Sequence, residues 1–362
     1  MKRILCLIDS LGSGGAQRQM TELAKLLHEI GYQVEVVFWI HYNNDHFLED
    51  ELTKIGVPWV CMDVLRNPVT RLCEVQKLLR QRKPNVVVSY YTGISQLLCI
   101  NHLFNKSYKL IVSERTITRY INRQIRFKMV LYRFADSIVP NSTTEADFIK
   151  NHFPKLGAKT LTIHNFVDTE RFSLGEEAEK TFDPIHALFV GRINVAKNIP
   201  NFIKALKNVR KAGYNIHVDM YGNVQDKSIY DDAIAFVNDN HLQDDIVFHP
   251  ASTHIEDEYR SHNLFFMPSA WEGFPNVLCE AMSCGLPVLA SDVSDVANIM
   301  EDGVNGYLMN PSSPEDMADV MIKYCQLSSK EKYSMAEASR KIIEKKFSKE
   351  SFVQNYINLI EE

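Results

Sequence analysis

Short apolar runs and amphipathic stretches take turns along this 362-residue chain, and the pattern runs twice. "RILCLID" leads through a glycine-rich loop into "AQRQMTELAKLLHEIG"; "YQVEVVFWI", "VTRLCEVQKLLRQRKP" and "NVVVSYY" follow, then the strands "YKLIVSER" and "SIVPNST". After the charged, weakly periodic "DTERFSLGEEAEKTFDP" the alternation restarts with "IHALFVGRI", "NIPNFIKALKNVRKAGY" and "NIHVDMYG" and continues through "NLFFMPS" and "LPVLASD". Strands that alternate with helices imply parallel sheets joined by right-handed crossovers. A chain of this length is also too long for one ordinary core. The spacing predicts an α/β fold of two tandem doubly wound domains facing a cleft, with ligands beyond the carboxyl ends of the strands. The expected boundaries are residues 1–168, a linker over 169–184, a second domain over 185–345, and a closing helix over 346–362 that packs back on the first domain.

Charge narrows the partners. The net charge of −5 is mild, and 45% hydrophobic with 23% charged residues is ordinary for a soluble globular chain. Residues 66–133, however, hold fourteen Lys or Arg against two acids, Glu74 and Glu114. Such asymmetry points to an anionic surface or a polyanionic ligand for the first half. The seven cysteines are odd in number and form no C-x-x-C, which suggests neither a disulfide framework nor a zinc site and fits a reducing, cytoplasmic compartment. The apolar run of "MKRILCLIDS" stops at Asp9, so a first buried strand is the better reading than a signal peptide. No apolar run is long enough for a bilayer.

Three loops could carry chemistry. In "DSLGSGGAQRQM", Gly12, Gly14 and Gly15 open a helix and offer backbone N–H groups to an anion. It is no dinucleotide fingerprint, since Arg18 stands three residues after Gly15 and no acid ends the second strand; a plain tight turn accounts for it equally. In "VGRINVAKN", Arg192 and Lys197 sit in a strand-to-helix loop, where two fixed cations suit a departing diphosphate, although solvated charges are the plain alternative. In "WEGFPNVLCEAMSCG", Pro275 is expected at the first helical position, leaving Glu272 in the loop and Glu280 in the helix. Helix-capping N–H groups between them can hold a phosphate or sugar oxygen.

Together these residues resemble a known family. "EGFPNVLCE" matches the E-x7-E motif of retaining GT-B glycosyltransferases of family 4, also called group 1, which are built of two Rossmann-like domains. "GRINVAKN" resembles that family's GR…KN loop, "HNFVD" its interdomain NGVD, "EDGVNGYLMNP" its late segment and "GGAQR" its early GGAER, in order along nearly the whole chain. The resemblance implies that Glu280 holds the ribose hydroxyls of a nucleotide diphosphate sugar and Glu272 the donor sugar. Gly273, Phe274, Pro275, Asn276 and Val277 would form the donor-binding turn, with backbone donors to sugar and phosphate. Tyr221 and Gly222 of "YGNVQD" would edge the base pocket. Arg192 and Lys197 would neutralise the diphosphate, the role a metal plays in other transferases, so neither metal nor cofactor is expected. Gly14 and Gly15 would approach donor phosphate and acceptor. Transfer would be front-side, with retention. Where many members keep a histidine near the acceptor, "IVSERT" places Glu114 and Arg115; Asn165 of "HNFVD" also falls on the acceptor side. That variation resembles the subset acting on polysaccharide and lipid-linked intermediates.

"TRYINRQIRFKMVLYRF" reads as a helix with Arg119, Arg123, Arg126 and Arg133 along one face. It is either a solvated face or a dock for an anionic inner leaflet or a pyrophosphate-linked acceptor. Nucleic acid is not expected, because aromatic stacking motifs are lacking. The reading is therefore a cytoplasmic, peripherally membrane-bound transferase. It would move a hexose or N-acetylhexosamine from a donor expected to be UDP-linked to a lipid-linked or polysaccharide acceptor. A nucleotide-sugar epimerase on the same fold and an inactive glycan- or lipid-binding module are the alternatives.

Overall fold

A computed structural model describes residues 1–12, 14–41, 47–62, 67–175 and 181–362. It divides into two compact units, residues 1–166 with 350–362, and residues 167–349.

The first unit is a six-stranded sheet of β1 (Arg3–Ser10), β2 (Gln33–Ile40), β3 (Trp59–Cys61), β4 (Val86–Ser89), β5 (Lys109–Glu114) and β6 (Ser137–Pro140), in the order β3-β2-β1-β4-β5-β6. Every pairing is parallel. The helix Gly15–Glu29 buries Met20, Leu23, Ala24 and Leu27, one face at helical spacing, against Ile4, Cys6 and Ile8 of β1. Each such leucine contributes roughly 1.5–3 kcal/mol by leaving water. Gly31, at φ +105°, turns the chain from this helix into β2, a conformation that a side chain would strain. The last helix, Lys349–Glu361, belongs to this unit. It buries Phe352, Tyr356, Leu359 and Ile360 in the same core, and Phe352 meets Phe166 with ring centroids 5.0 Å apart.

The second unit repeats the plan with β7 (Ile185–Val190), β8 (Ile216–Tyr221), β9 (Ile246–His249), β10 (Leu264–Met267), β11 (Val288–Ser291) and β12 (Gly306–Met309), ordered β12-β11-β10-β7-β8-β9 and parallel throughout. The strand order reverses between β7 and β10, so the loops that leave these two strands flank the switch point where such sheets bind ligands. The start of the expected linker is built into this unit. Asp168 Oδ1 accepts from the N–H groups of Glu170 and Arg171, and Phe172 is buried edge-on against Tyr259. Residues 176–180 of that linker lie outside the described residues.

The arginine helix is shorter than its sequence suggests. Asn122 accepts from Ile125 N–H and caps a helix running Arg123–Tyr132, so Arg119 lies in the preceding loop and Arg133 just past the end. Arg119 therefore does not share the helical face of Arg123 and Arg126.

Candidate active site

The loop after β7 and the loop after β10 are stitched together. Ala270 N–H donates to the Ala196 carbonyl at 2.8 Å. Asn198, at φ +55°, opens the helix Ile199–Lys211, and its amide donates to the carbonyls of Pro268 (3.1 Å) and Pro311 (2.7 Å). This framework sets Lys197 Nζ 2.6 Å from Glu272 Oε1, with both side chains mostly buried. The fully buried Ser269 donates its hydroxyl to the same oxygen at 2.6 Å. Both bonds converge on Oε1, and Oε2 accepts none among the described residues. Arg192 stands exposed at the same loop.

Glu280 lies in the helix Asn276–Ser283, with its Oε2 3.2 Å from the Tyr259 hydroxyl. Burial, and then the nearby Glu280 charge, push the Tyr259 phenol well above its ordinary pKa, so it stays a donor. Pro275 caps this helix rather than occupying its first position, because its backbone (ψ 78°) is not helical. Pro275 has no N–H, and the N–H of Asn276 is turned back to the Phe274 carbonyl at 3.0 Å. Neither backbone N–H therefore serves the turn as a donor, which narrows the expected set of Gly273, Phe274, Pro275, Asn276 and Val277. Ser294 fixes the turn by donating to the Gly273 carbonyl at 2.8 Å.

Tyr221 ends β8 and stacks on His249 at 4.5 Å, and burial followed by its bond to Glu258 raises its phenol to about 12. Gly222 is required by space. A Cβ there would lie 1.9 Å from the Gly191 carbonyl oxygen, so the loops after β7 and β8 pack backbone to backbone. Gly222→Ala is expected to destabilise the second unit by about 1–3 kcal/mol or more. Thermal unfolding measures this, and an unchanged melting temperature would contradict the close approach.

In the first unit, Gly14 caps the helix Gly15–Glu29 just after β1. Glu114 is buried, held by Lys128 Nζ at 2.6 Å and by the Tyr132 hydroxyl. The strand-end acid is thus one half of an interior ion pair. Arg115 Nη1 donates to Asn165 Oδ1 at 2.6 Å and Nη2 to the Tyr356 hydroxyl at 2.9 Å, and its guanidinium lies 3.6 Å from the Tyr90 ring centroid. A cavity of about 600 Å³ opens beside them, where Gln96, Thr116, Thr118, Tyr120 and Gln124 supply amides and hydroxyls.

A Glycosyltransferase Family 4 model matches residues 13–171, and a model described as Glycosyl transferases group 1 matches residues 171–342. The chain belongs to the group 1 glycosyltransferases. It is 24% identical to the amylovoran biosynthesis glycosyltransferase AmsD of Erwinia amylovora, over 87% of this chain and 88% of AmsD. It is 21% identical to the N-acetylgalactosamine-N,N'-diacetylbacillosaminyl-diphospho-undecaprenol 4-alpha-N-acetylgalactosaminyltransferase of Campylobacter jejuni, over 88% of each. The GT-B fold is shared with Anabaena HepE, whose crystal structure in complex with UDP and glucose superposes at a TM-score of 0.84 over the full length of both chains, at 17% identity.

Sequence reasoning about this glycosyltransferase missed several residues. Ser269 and Tyr259, which hold the two glutamates, carry no motif of their own. Asp219 of β8 was also missed: His249 Nε2 lies 2.5 Å from its Oδ1, and His262 Nε2 and His217 Nε2 lie 3.1 and 3.4 Å from its Oδ2. Burial would raise this carboxyl, but the bonds from His249 and His262 and the charge of His217 outweigh burial and hold it below the ordinary range. The alternating His-x-Asp of "NIHVDMYG" was the available signal, since residues two apart on a strand share a face.

Proposed function

We propose that this glycosyltransferase moves a hexose or N-acetylhexosamine from a UDP-linked sugar to a lipid-linked or polysaccharide acceptor in cell-surface glycan synthesis, with retention. The observation that carries the reading is Glu272: one oxygen is fixed by Lys197 and Ser269 and the other is left to accept a sugar hydroxyl, beside the switch point of the second sheet. The complex of HepE with UDP and glucose and the activity named for the Campylobacter relative support donor and acceptor classes.

In this mechanism Glu280 accepts from two ribose hydroxyls, and Tyr221 and Gly222 edge the base. The N–H groups of Gly273 and its neighbours meet sugar and phosphate oxygens. As the bond from the anomeric carbon to the diphosphate breaks, charge grows on the leaving oxygen. Lys197, held by Glu272, and the exposed Arg192 oppose it as cations, so no metal is needed. The acceptor hydroxyl attacks from the same face and its proton passes to the departing diphosphate. Arg115, Asn165 and the neighbouring cavity meet the acceptor, while the buried Glu114 supports Lys128 from beneath.

Among the described residues no helix is long and apolar enough to cross a membrane. We place the enzyme peripherally on the cytoplasmic face, where Arg119, Arg123, Arg126 and Arg133 meet anionic lipid. Incubation with a panel of labelled nucleotide sugars in the presence of a chelator is expected to yield product from a UDP-sugar, with the donor's anomeric configuration by NMR. An inverted linkage, or epimerised sugar released without acceptor, would replace this reading.

A further inference from the structure

Of the fourteen large hydrophobic side chains exposed among the described residues, six crowd into residues 91–130: Tyr91, Leu103, Phe104, Tyr120, Phe127 and Val130. That is about a ninth of the chain, so the exposure is concentrated rather than scattered. Phe104 is 81% exposed, Tyr120 70%, Phe127 58% and Val130 53%. Tyr91 caps the helix Thr92–Phe104, which carries Leu103 and Phe104; Phe127 and Val130 lie on the helix Arg123–Tyr132 packed against it, and Tyr120 on the loop from β5 into that helix. Lys106 Nζ donates to the Phe134 carbonyl at 3.1 Å, bringing the ends of the two helices side by side.

The helix Arg123–Tyr132 sorts its residues sharply. Lys128, Met129, Leu131 and Tyr132 are buried. Arg123, Arg126, Phe127 and Val130, with Arg133 just beyond, are exposed and recur at spacings of three and four, which puts them on one face. A purely solvated face would carry charge without the phenylalanine and valine. Guanidinium groups interleaved with apolar side chains match the boundary of a bilayer, where the rings and branched chains enter the acyl edge and the arginines reach back to lipid phosphates. Arg123, Arg126 and Arg133, all exposed, supply the complementary charge on this face.

We propose that Phe104, Phe127 and Val130 insert into an anionic bilayer, so that this face is anchored by apolar burial as well as by charge. The inference rests on the membrane-side acceptor proposed above and specifies how the first unit reaches it. Two signals acting together make attachment stable where either alone is marginal.

The test is flotation of the full chain with vesicles of phosphatidylcholine and phosphatidylglycerol, at low and high salt. Phe104→Ser with Val130→Ser keeps every charge and alters only exposed positions outside the acceptor-side cavity. It is expected to lower partitioning at least about tenfold. Arg123→Glu with Arg126→Glu is expected to abolish binding at low salt. A Phe127→Trp variant should shift its emission to the blue on these vesicles and be quenched by lipids labelled in the acyl chain. Undiminished flotation of the serine variant, or no quenching, would reduce the face to an electrostatic pad and overturn insertion. A change from dimer to monomer on sedimentation, with flotation kept, would assign the face to a second copy of the chain instead. Transfer to a short-chain, water-soluble acceptor is measured alongside. The serine variant should retain it, and its absence in the parent chain would count against the proposed function and leave the flotation result standing.

Discussion

Replacing Glu272 by alanine is expected to slow turnover by roughly a hundred- to a thousandfold while the donor's KM stays near its starting value. The same change at Glu280 should raise KM by roughly ten- to a hundredfold and spare turnover. The asymmetry follows from how each carboxylate is held. Glu272 is pinned through Oε1 by Lys197 and Ser269, each at 2.6 Å. Removing it therefore frees Lys197 Nζ from its partner as well as removing the contact to the reacting sugar. A cation set to oppose leaving-group charge loses its position, and preorganised charge of this kind acts mainly in the transition state. Glu280 stands in the helix Asn276–Ser283, eight residues further on, beside the buried Tyr259. Ribose hydroxyls gain no charge during transfer, so their bonds to a carboxylate hold ground state and transition state alike. Each such bond is worth about 1.5–3 kcal/mol, and a factor of ten is about 1.4 kcal/mol. Initial rates against donor concentration separate the two. Equal losses of turnover in both variants would defeat the assignment of roles. Glu272→Gln should fall between parent and alanine, since it keeps an acceptor for Ser269 and loses the charge that pairs Lys197.

What could be read from sequence here was periodic or local. The alternation of strand and helix fixed two doubly wound units because burial on one face repeats every few residues. The separation of Glu272 from Glu280 by a proline turn was equally local. What escaped was set by packing. The helix Thr92–Phe104 is apolar on its inner face, with Ile94, Leu98 and Cys99, and also at its exposed end, with Leu103 and Phe104; no polar stripe marks it out. Arg119 could not be removed from its helix without knowing that the Asn122 side chain turns to cap Ile125. Glu114 stands where the resemblance expects an acceptor-side residue, yet Lys128 and Tyr132, fourteen and eighteen residues on, close over it. The partnership of Lys197 and Glu272, seventy-five residues apart, depends on β7 and β10 being neighbours, which strand count alone does not give.

Glu145 carries the other large expectation, and it concerns stability. The side chain is fully buried in the helix Thr143–His152, with its two oxygens accepting from the N–H and the hydroxyl of Thr118, each at 2.7 Å. Burial raises its pKa from the ordinary 4.5 to about 7; the two Thr118 bonds pull it down and the nearby Glu114 charge pushes it up. The folded chain therefore holds this proton more tightly than the unfolded chain does. Stability from Glu145 is fully present below pH 4.5 and is lost as pH rises through 7, a change of about 3 kcal/mol by linkage. Glu145→Gln keeps an acceptor for the Thr118 N–H and cannot ionise. At pH 8 it should raise the first unit's melting temperature by roughly 6–12 °C, given about 2–4 °C per kcal/mol for a unit of this size. At pH 5 the two proteins should melt close together. Melting curves across that range decide the matter, and an equal pH slope in parent and variant would show that Glu145 ionises normally. Thr118 sits in the segment between Arg115 and Asn122 that lines the acceptor-side cavity and carries Arg119 and Tyr120. The ionised carboxylate binds Thr118 more strongly while costing the unit stability, so at neutral pH this segment is held in place at the expense of the fold beneath it.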